Sequence, residues 1–267
     1  MLQRYRPAVA LVVFIAWVLI TAFFDQLVAP AEGPQSLSET VSGTLQPGLG
    51  AAVVLLLAAV AIFRWRDIGL NPPRATRSLR LLWFPALYVL AFVGLIAVGG
   101  LPSTKTVLII LVNTVLAGVS EELACRGVLY QGLRIRFGVW PAILGSTLLF
   151  GAIHVLNGFS TGDFLASSVQ AIAAFMTGIA FVAIRVRTGS LYPGMILHAA
   201  WDFALLAAVT GLLQKLGESQ AQPSLSSIGL AYAVVPLALV LPNFLYGVFL
   251  LRHATRDEAR LSAAAAG

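Results

Sequence analysis

The chain has 267 residues, of which 59% are hydrophobic and only 10% are charged. Soluble domains carry about 25% charged residues, so the composition excludes an ordinary water-soluble protein. The net charge of +6 would suit nucleic-acid binding, but the basic residues stand in short segments between long apolar runs, where they set membrane topology. We therefore predict a multi-pass protein of the cell membrane that contacts the lipid bilayer and no nucleic acid. The single cysteine, Cys125, excludes a disulfide framework and a multi-cysteine metal site.

Apolar runs of about 17 to 25 residues are long enough to cross a bilayer as helices. The sequence contains eight such runs, so we predict an all-α polytopic transmembrane bundle of about eight spans. We expect residues 1–267 to form a single integral-membrane domain. In chain order, the runs are 8–24, 47–63, 81–98, 107–127, 139–156, 163–184, 190–211 and 227–251.

The basic residues between these runs predict the orientation of the chain. If the runs alternate across the membrane, fourteen arginines fall on one side, and only Lys105 and Lys215 fall on the other. Because basic loops remain in the cytoplasm, both termini are predicted to be cytoplasmic. The fourteen are Arg4, Arg6, Arg64, Arg66, Arg74, Arg77, Arg80, Arg134, Arg136, Arg185, Arg187, Arg252, Arg256 and Arg260.

The first run has an alternative interpretation. Basic residues precede it and the small residues of Ala29-Pro30-Ala31 follow it, as in a cleaved signal peptide. Its length exceeds the usual apolar core of about 7 to 15 residues, so we favour a retained span. The next stretch, 30–50, is rich in Gly, Pro, Ser and acidic residues and is expected to form an outer loop.

Charged residues inside an apolar run are costly and are therefore candidates for function. The fourth run carries the pattern Glu-Glu-x-x-x-Arg, formed by Glu121, Glu122 and Arg126. Glu122 and Arg126 are four residues apart, acid first, which favours an ion pair on one helix face. Glu121 is turned away by about 100°, so its carboxylate is left for chemistry. The alternative is a buried ion-pair cluster that only fixes helix packing.

Two later runs carry histidines. Phe150 and His154 form the pattern Phe-x-x-x-His, and His198 and Asp202 form the pattern His-x-x-x-Asp. At this spacing the Asp202 carboxylate is able to accept one ring N–H and so fix the tautomer that presents the other nitrogen. Each pair, taken alone, is also explained as hydrogen-bonded packing residues.

The three motifs together resemble those of the CPBP intramembrane proteases, the family that includes the CAAX endopeptidases of prenylated proteins. The resemblance covers a motif-bearing core of about 107–205. It implies a glutamate-dependent intramembrane endopeptidase whose site opens toward the cytoplasmic side. The predicted catalytic residues are Glu121, Glu122, Arg126, His154, His198 and Asp202.

The resemblance also implies a role for each group. Glu121 activates a water molecule, His154 assists it, and His198 with Asp202 stabilises the oxyanion. The CAAX enzymes carry Asn where this chain has Asp202. Because an ionised Asp has no proton to donate, Asp202 must be protonated or must instead orient His198.

No cofactor is predicted, although zinc is an alternative. One Glu with two His, or Glu with His and Asp, would bind zinc and leave a position for water. The His-Glu-x-x-His helix of zinc proteases is absent from the sequence, so we favour a site without an obligatory metal. The expected partner is a peptide or membrane-protein substrate.

Two other functions remain open at this point. A proton-coupled transporter also uses intramembrane Glu, His and Asp residues, but it predicts corresponding halves with midplane breaks, which the sequence does not show. A non-catalytic immunity scaffold would use the motif residues only to hold helices together. Depth gives a mixed result: at about 1.5 Å per residue, Glu121 and His198 lie about 9 to 12 Å deep but His154 about 20 Å. Either the fifth span starts later, after Pro141, or its helix is tilted.

Overall fold

The computed structural model describes residues 2–28, 36–217 and 230–256. These residues are almost entirely helical, and no strand occurs among them. Seven helices are long and apolar enough to cross a membrane, and a bent pair of helices brings the number to eight if it counts as one span. The predicted all-α membrane bundle of about eight spans is confirmed.

The described part of the chain forms eleven α-helices. They are α1 (Leu2–Val28), α2 (Leu37–Gly43), α3 (Pro47–Ile62), α4 (Trp83–Gly99), α5 (Thr104–Glu122), α6 (Tyr130–Phe137), α7 (Val139–Ile153), α8 (Asn157–Thr161), α9 (Phe164–Thr188), α10 (Tyr192–Leu216) and α11 (Leu230–Leu251). Thr76–Leu82 and His154–Leu156 are 3-10 helices, and Leu123–Leu129 is π-helical.

Helix α1 is packed into the bundle against α3 and α6. Its Trp17 is buried, and the indole Nε1 donates a hydrogen bond to Ser120 Oγ at 2.7 Å. The first apolar run is therefore part of the packed core in this structure. The small residues that suggested a cleavage site, 29–31, lie outside the described residues.

The second apolar run, 47–63, forms helix α3, and a shorter helix, α2, precedes it at a sharp angle. Helix α3 has only 16 residues, and α2 precedes it at an angle of 83°. Asn113 stabilises the bend, since its Nδ2 donates to the carbonyls of Val41 and Thr44 at 2.9 and 2.8 Å. Its Oδ1 accepts the Gln46 N–H at 3.0 Å. The expectation of a loop throughout 30–50 is thus wrong for Leu37–Gly43, which is helical.

The fourth span is longer than the predicted 107–127. Helices α5 and α6 join through the π-helical segment into one run, Thr104–Phe137, of 34 residues. All seven residues of the π-helical segment are buried, so tertiary packing carries the helix past the expected boundary. The run ends at Gly138, whose φ of +82° favours glycine. Arg134 and Arg136 therefore lie on a helix and not in a loop.

This longer helix removes the mismatch in depth. Glu121 lies sixteen residues before Phe137, and His154 lies fifteen residues after Val139, so both are near the middle of their spans. Helix α7 starts before Pro141, so of the two alternatives for the fifth span, a start after Pro141 is wrong. His198 is only six residues from the start of α10, but that start is itself recessed, because Leu191 is buried.

The arginine-bearing ends of the helices meet at one end of the bundle. Here Arg6 of α1 pairs with Asp67, and the segment 65–74 packs onto the turn between α9 and α10. We call this the arginine-rich end, defined by Arg6, Arg74, Arg134 and Arg185. At its other end, helix α1 contacts α8, where Gln26 donates a hydrogen bond of 2.9 Å to Ser160. The side of the membrane that the arginine-rich end faces stays a prediction.

Candidate active site

The motif residues lie where α5 and the π-helical segment meet α7, α9 and α10. Small residues allow this close approach of helices, as is common in membranes. A Cβ added to Gly118 would lie 2.9 Å from the backbone nitrogen of Ala199, and one added to Gly194 would lie 3.0 Å from Glu122 Oε2. The backbone of α10 is thereby brought against the two glutamates of α5.

Glu122 and Arg126 form the predicted ion pair, with Oε1 and Nη1 3.1 Å apart and both side chains 1% exposed. Nη1 makes no hydrogen bond of good angle, so the contact is chiefly electrostatic. The Nη2 group donates to the Gly178 carbonyl at 3.4 Å. The guanidinium carbon lies 4.0 Å from the ring centre of Phe150 and 5.7 Å from that of Phe181. These rings shield the charge and add cation–π attraction.

His198 lies among three carboxylates. Its Nδ1 is 3.2 Å from Glu122 Oε1, a buried hydrogen bond. Its Nε2 is 3.6 Å from Glu121 Oε2 and 3.4 Å from Asp202 Oδ2. The ring stacks on Phe181, with the ring centres 4.9 Å apart. His198 thus contacts three predicted site residues directly, and a fourth, Arg126, is connected to it through Glu122. These five residues come from two helical spans.

The way in which the His198 ring is oriented differs from the prediction. Asp202 was expected to accept a ring N–H and fix the tautomer, but Glu122 makes the ring hydrogen bond, and Asp202 lies near the other nitrogen. Because an ionised carboxylate only accepts, the Nδ1 of His198 carries a hydrogen. Nε2 is the atom presented to Glu121 and Asp202. The contact with Glu122 joins residues 76 apart in the chain, so no local spacing predicts it.

His154 lies at the end of α7, where the α-helix changes to a 3-10 turn. Its Nδ1 is 2.9 Å from the Phe150 carbonyl oxygen. Since a carbonyl only accepts, Nδ1 carries the hydrogen and Nε2 is left free to accept. The Phe150 ring lies 5.0 Å from the His154 ring and 6.3 Å from the His198 ring. Among the described contacts, the Phe150 ring therefore lies between His154 and the other site residues.

The two adjacent glutamates differ in exposure. The Glu122 side chain is 1% exposed, whereas those of Glu121 and Asp202 are 20% and 32% exposed. Glu121 and Asp202 therefore form the accessible edge of the site, and Glu122 with Arg126 forms its closed base.

Sequence reasoning missed several residues that shape the site. Phe181 stacks on His198, and Gly178 accepts from Arg126. Trp17 of α1 fixes Ser120, the residue before the glutamate pair. None of these stands at helical spacing from a motif residue, so only the packing of distant helices shows them.

Within residues 2–28, 36–217 and 230–256, no group of three or more His, Cys, Asp or Glu side chains is arranged to hold a metal ion. The expectation of no obligatory metal stays a prediction, and no step below passes through a metal.

The fold and the site define a polytopic membrane protein with a cluster of acids, histidines and arginine buried between its helices. Residues 103–204 match the family model described as Type II CAAX prenyl endopeptidase Rce1-like. This range contains all six predicted site residues and nearly coincides with the predicted core. The predicted resemblance to the CPBP, CAAX protease-like family is confirmed over this core of the chain. No curated protein and no solved structure is significantly similar to the chain. The family indicates a membrane-embedded protease that acts on peptides.

Proposed function

We propose that this protein is an intramembrane endopeptidase in which Glu121 activates a water molecule to hydrolyse a peptide bond. The supporting observation is the difference between the adjacent glutamates. Glu122 is buried and already bound to Arg126 and His198. Glu121 is partly exposed and faces the Nε2 of His198, at 3.6 Å. The Glu121 side chain is 20% exposed, and among the described residues no arginine or lysine forms an ion pair with it.

The reaction follows from this placement. Glu121 takes a proton from water as the water oxygen adds to the substrate carbonyl carbon, and the carbonyl oxygen becomes an oxyanion. The proton held by Glu121 then passes to the amide nitrogen as the carbon–nitrogen bond breaks. The products are a free amine and a carboxylic acid, which releases its remaining proton to water and becomes a carboxylate. A base in a site with little water acts on the nucleophile without competing solvation.

We assign His198 to stabilising the oxyanion. Both of its ring nitrogens face carboxylates, which is the environment that a doubly protonated imidazolium requires. Nδ1–H is held by Glu122, so Nε2–H is the donor aimed at the substrate. We assign Asp202, which lies at the same nitrogen, to supporting this cation. His154 presents its free Nε2 and is assigned to holding the attacking water.

The direction of access and the substrate class are also part of the proposal. His198 lies six residues from the start of α10, at the arginine-rich end, and that end is predicted to be cytoplasmic. We therefore propose that substrate enters from the cytoplasmic side. The matched family is described as a prenyl endopeptidase, so a prenylated CAAX peptide is one substrate class to test, beside unmodified peptides and membrane proteins.

Comparison of protein termini in cells tests the protease activity on all cellular proteins at once, so no single substrate has to be chosen. Strains would express either the unchanged protein or Glu121→Gln at equal levels, confirmed by immunoblot. We expect a set of new termini that depends on Glu121. Identical sets of termini in the two strains would contradict the proposal. Farnesylated and unmodified versions of each cleaved sequence, tested on purified protein, then decide whether prenylation matters.

The zinc-dependent alternative predicts a different response to chelation. In the proposed mechanism, purified protein keeps full activity after exhaustive treatment with a chelator, with metal content measured on the same sample. Stoichiometric zinc that is lost together with activity would favour the alternative.

A further inference from the structure

The hydrogen bond of His198 does not by itself hold the imidazole ring in one orientation. The bond between Nδ1 and Glu122 Oε1, at 3.2 Å, fixes where one ring atom points. Rotation of a histidine ring about its Cβ–Cγ bond is soft, with broad energy wells, and a hydrogen bond keeps much of its strength as its angle departs from linear. This bond alone would therefore let the ring tilt and let Nε2 swing away from Glu121 and Asp202.

Phe181 supplies the missing constraint. Its ring lies against the face of the His198 ring, with the ring centres 4.9 Å apart and an angle of 22° between the planes. Phe150 does not duplicate this contact, because its ring centre is 6.3 Å away and the two planes are nearly perpendicular, at 87°. One contact in the ring plane and one on the ring face together define the orientation of a flat group. They direct Nε2 to the place where it is 3.6 Å from Glu121 Oε2 and 3.4 Å from Asp202 Oδ2.

The Phe181 side chain is itself held by its neighbours. It stands on α9, is 5% exposed, and packs in a cluster with the buried side chains of Ile184 and Leu197. Leu82 and Val89 pack against the same cluster from the start of α4 and the segment before it. Because close-packed side chains keep defined rotamers, the Phe181 ring is a fixed surface for the imidazole.

The stack also suits the charge that the proposed mechanism places on His198. In that mechanism Glu122 holds Nδ1–H while Nε2–H is the donor to the oxyanion, so the ring is positively charged. The face of an aromatic ring carries negative partial charge and attracts a cation placed over it. An aliphatic side chain at position 181 would exclude water, but it would neither define a plane nor attract the cation.

We propose that Phe181 is a positioning residue for the reaction, which holds the His198 ring in the plane where Nε2 faces the substrate oxygen beside Glu121. Phe181 does not touch the reacting atoms and acts through His198. Its effect on cleavage rests on the proposed function, whereas its effect on the ring is measured without any substrate.

Solid-state nuclear magnetic resonance of the protein in lipid bilayers, with labelled histidine, tests the ring directly. The chain has only three histidines, so His198→Gln identifies the signals of His198. Phe181→Leu and Phe181→Met remove the flat ring, and Phe181→Tyr keeps it. Phe92→Leu is the matched control, because Phe92 is also 5% exposed but packs on α10 through Trp201 and not through His198.

The order parameter of the His198 ring C–H bonds is the measured quantity. We expect a value near about 0.85, typical of a rigid group, in the unchanged protein, in Phe181→Tyr and in Phe92→Leu. In Phe181→Leu and Phe181→Met it should fall below about 0.6, the range of flexible groups. The Met variant carries the test if the Leu variant does not fold. A rigid His198 ring in either folded variant would overturn the proposal, whether or not the protein cleaves a peptide.

Cleavage of a peptide found from the comparison of termini tests the consequence for the reaction. Phe181→Leu is expected to lower kcat by about 10- to 100-fold, the effect of a misplaced catalytic group, and to leave KM nearly unchanged. Phe181→Tyr and Phe92→Leu should keep most of the kcat. A role in packing alone would lower the melting temperatures of Phe181→Leu and Phe92→Leu alike and leave kcat unchanged, which would overturn the proposal. Full activity in Glu121→Gln would instead contradict the proposed function, and the ring measurement would then decide the role of Phe181.

Discussion

The active site and the arginine-rich end each contain a buried arginine, but the two are satisfied in different ways. Arg126 has a carboxylate partner in Glu122 and lies over two aromatic rings. Arg185 has one backbone carbonyl and a buried Nε without a partner. A carboxylate thus neutralises Arg126 inside the bundle, whereas no carboxylate forms an ion pair with Arg185 among the described residues. We therefore expect substitution of the two arginines to cost different amounts of stability.

The largest expected effect is on Arg126. The Arg126→Gln variant leaves Glu122 as a buried charge without its cation, and breaking such a pair costs about 3–5 kcal/mol. Unfolding of the purified protein in detergent by a denaturant series measures this. Arg136→Gln, on the exposed face of α6, is expected to change stability by less than about 0.5 kcal/mol. Equal stability of the two variants would show that Arg126 is not a structural residue.

A methyl group beside Arg126 is the next test. In Gly178→Ala, the new Cβ would lie 2.8 Å from Thr147 Cγ2 and 2.9 Å from Arg126 Nη2, and such overpacking costs about 1–3 kcal/mol. Gly94 of α4 is the matched control, since nothing lies within 4 Å of its added Cβ. Gly94→Ala should leave stability unchanged or raise it by up to about 1 kcal/mol. Melting temperatures of both variants decide this, and a stable Gly178→Ala would refute the close packing.

The Arg185→Gln substitution should cost much less than Arg126→Gln. It removes one hydrogen bond to a carbonyl, about 1 kcal/mol, and leaves no buried carboxylate without its cation. The same denaturant series measures the difference. A loss as large as that of Arg126→Gln would mean that both arginines are structural.

The smallest effect concerns acid stability. Because the folded-state pKa of Asp67 is below its ordinary value, its pairing with Arg6 stabilises the fold above about pH 4. This contribution is lost as the pH falls through the folded pKa. The carboxylate is 44% exposed, so solvent limits the gain to about 1 kcal/mol or less. Asp67→Asn should flatten the stability profile below pH 4 relative to the unchanged protein, and an unaltered profile would contradict the pairing.

Hydropathy predicted the number of membrane-spanning helices well, because each apolar run is long enough to be recognised from its own residues. It failed where contacts between helices determine the helix boundaries. Buried packing of the π-helical segment extends the fourth span to Phe137, and the Asn113 hydrogen bonds stabilise the bend between α3 and α2, a helix within the stretch expected to be a loop. Helical spacing likewise gave the Glu122–Arg126 pair. It gave no sign of the Glu122–His198 bond or of Phe181 against His198, since these join helices distant in sequence.

The division of roles between the two glutamates is tested most directly by measuring cleavage and thermal unfolding of Glu121→Gln and Glu122→Gln side by side. The substrate is a peptide found from the comparison of termini. We predict that Glu121→Gln unfolds like the unchanged protein but cleaves at least about 100-fold more slowly, the typical contribution of a general base. Glu122→Gln should lose up to a few kcal/mol of stability, with activity falling alongside. An active Glu121→Gln beside a well-folded but inactive Glu122→Gln would reverse the assignment, and full activity in both would contradict the glutamate mechanism.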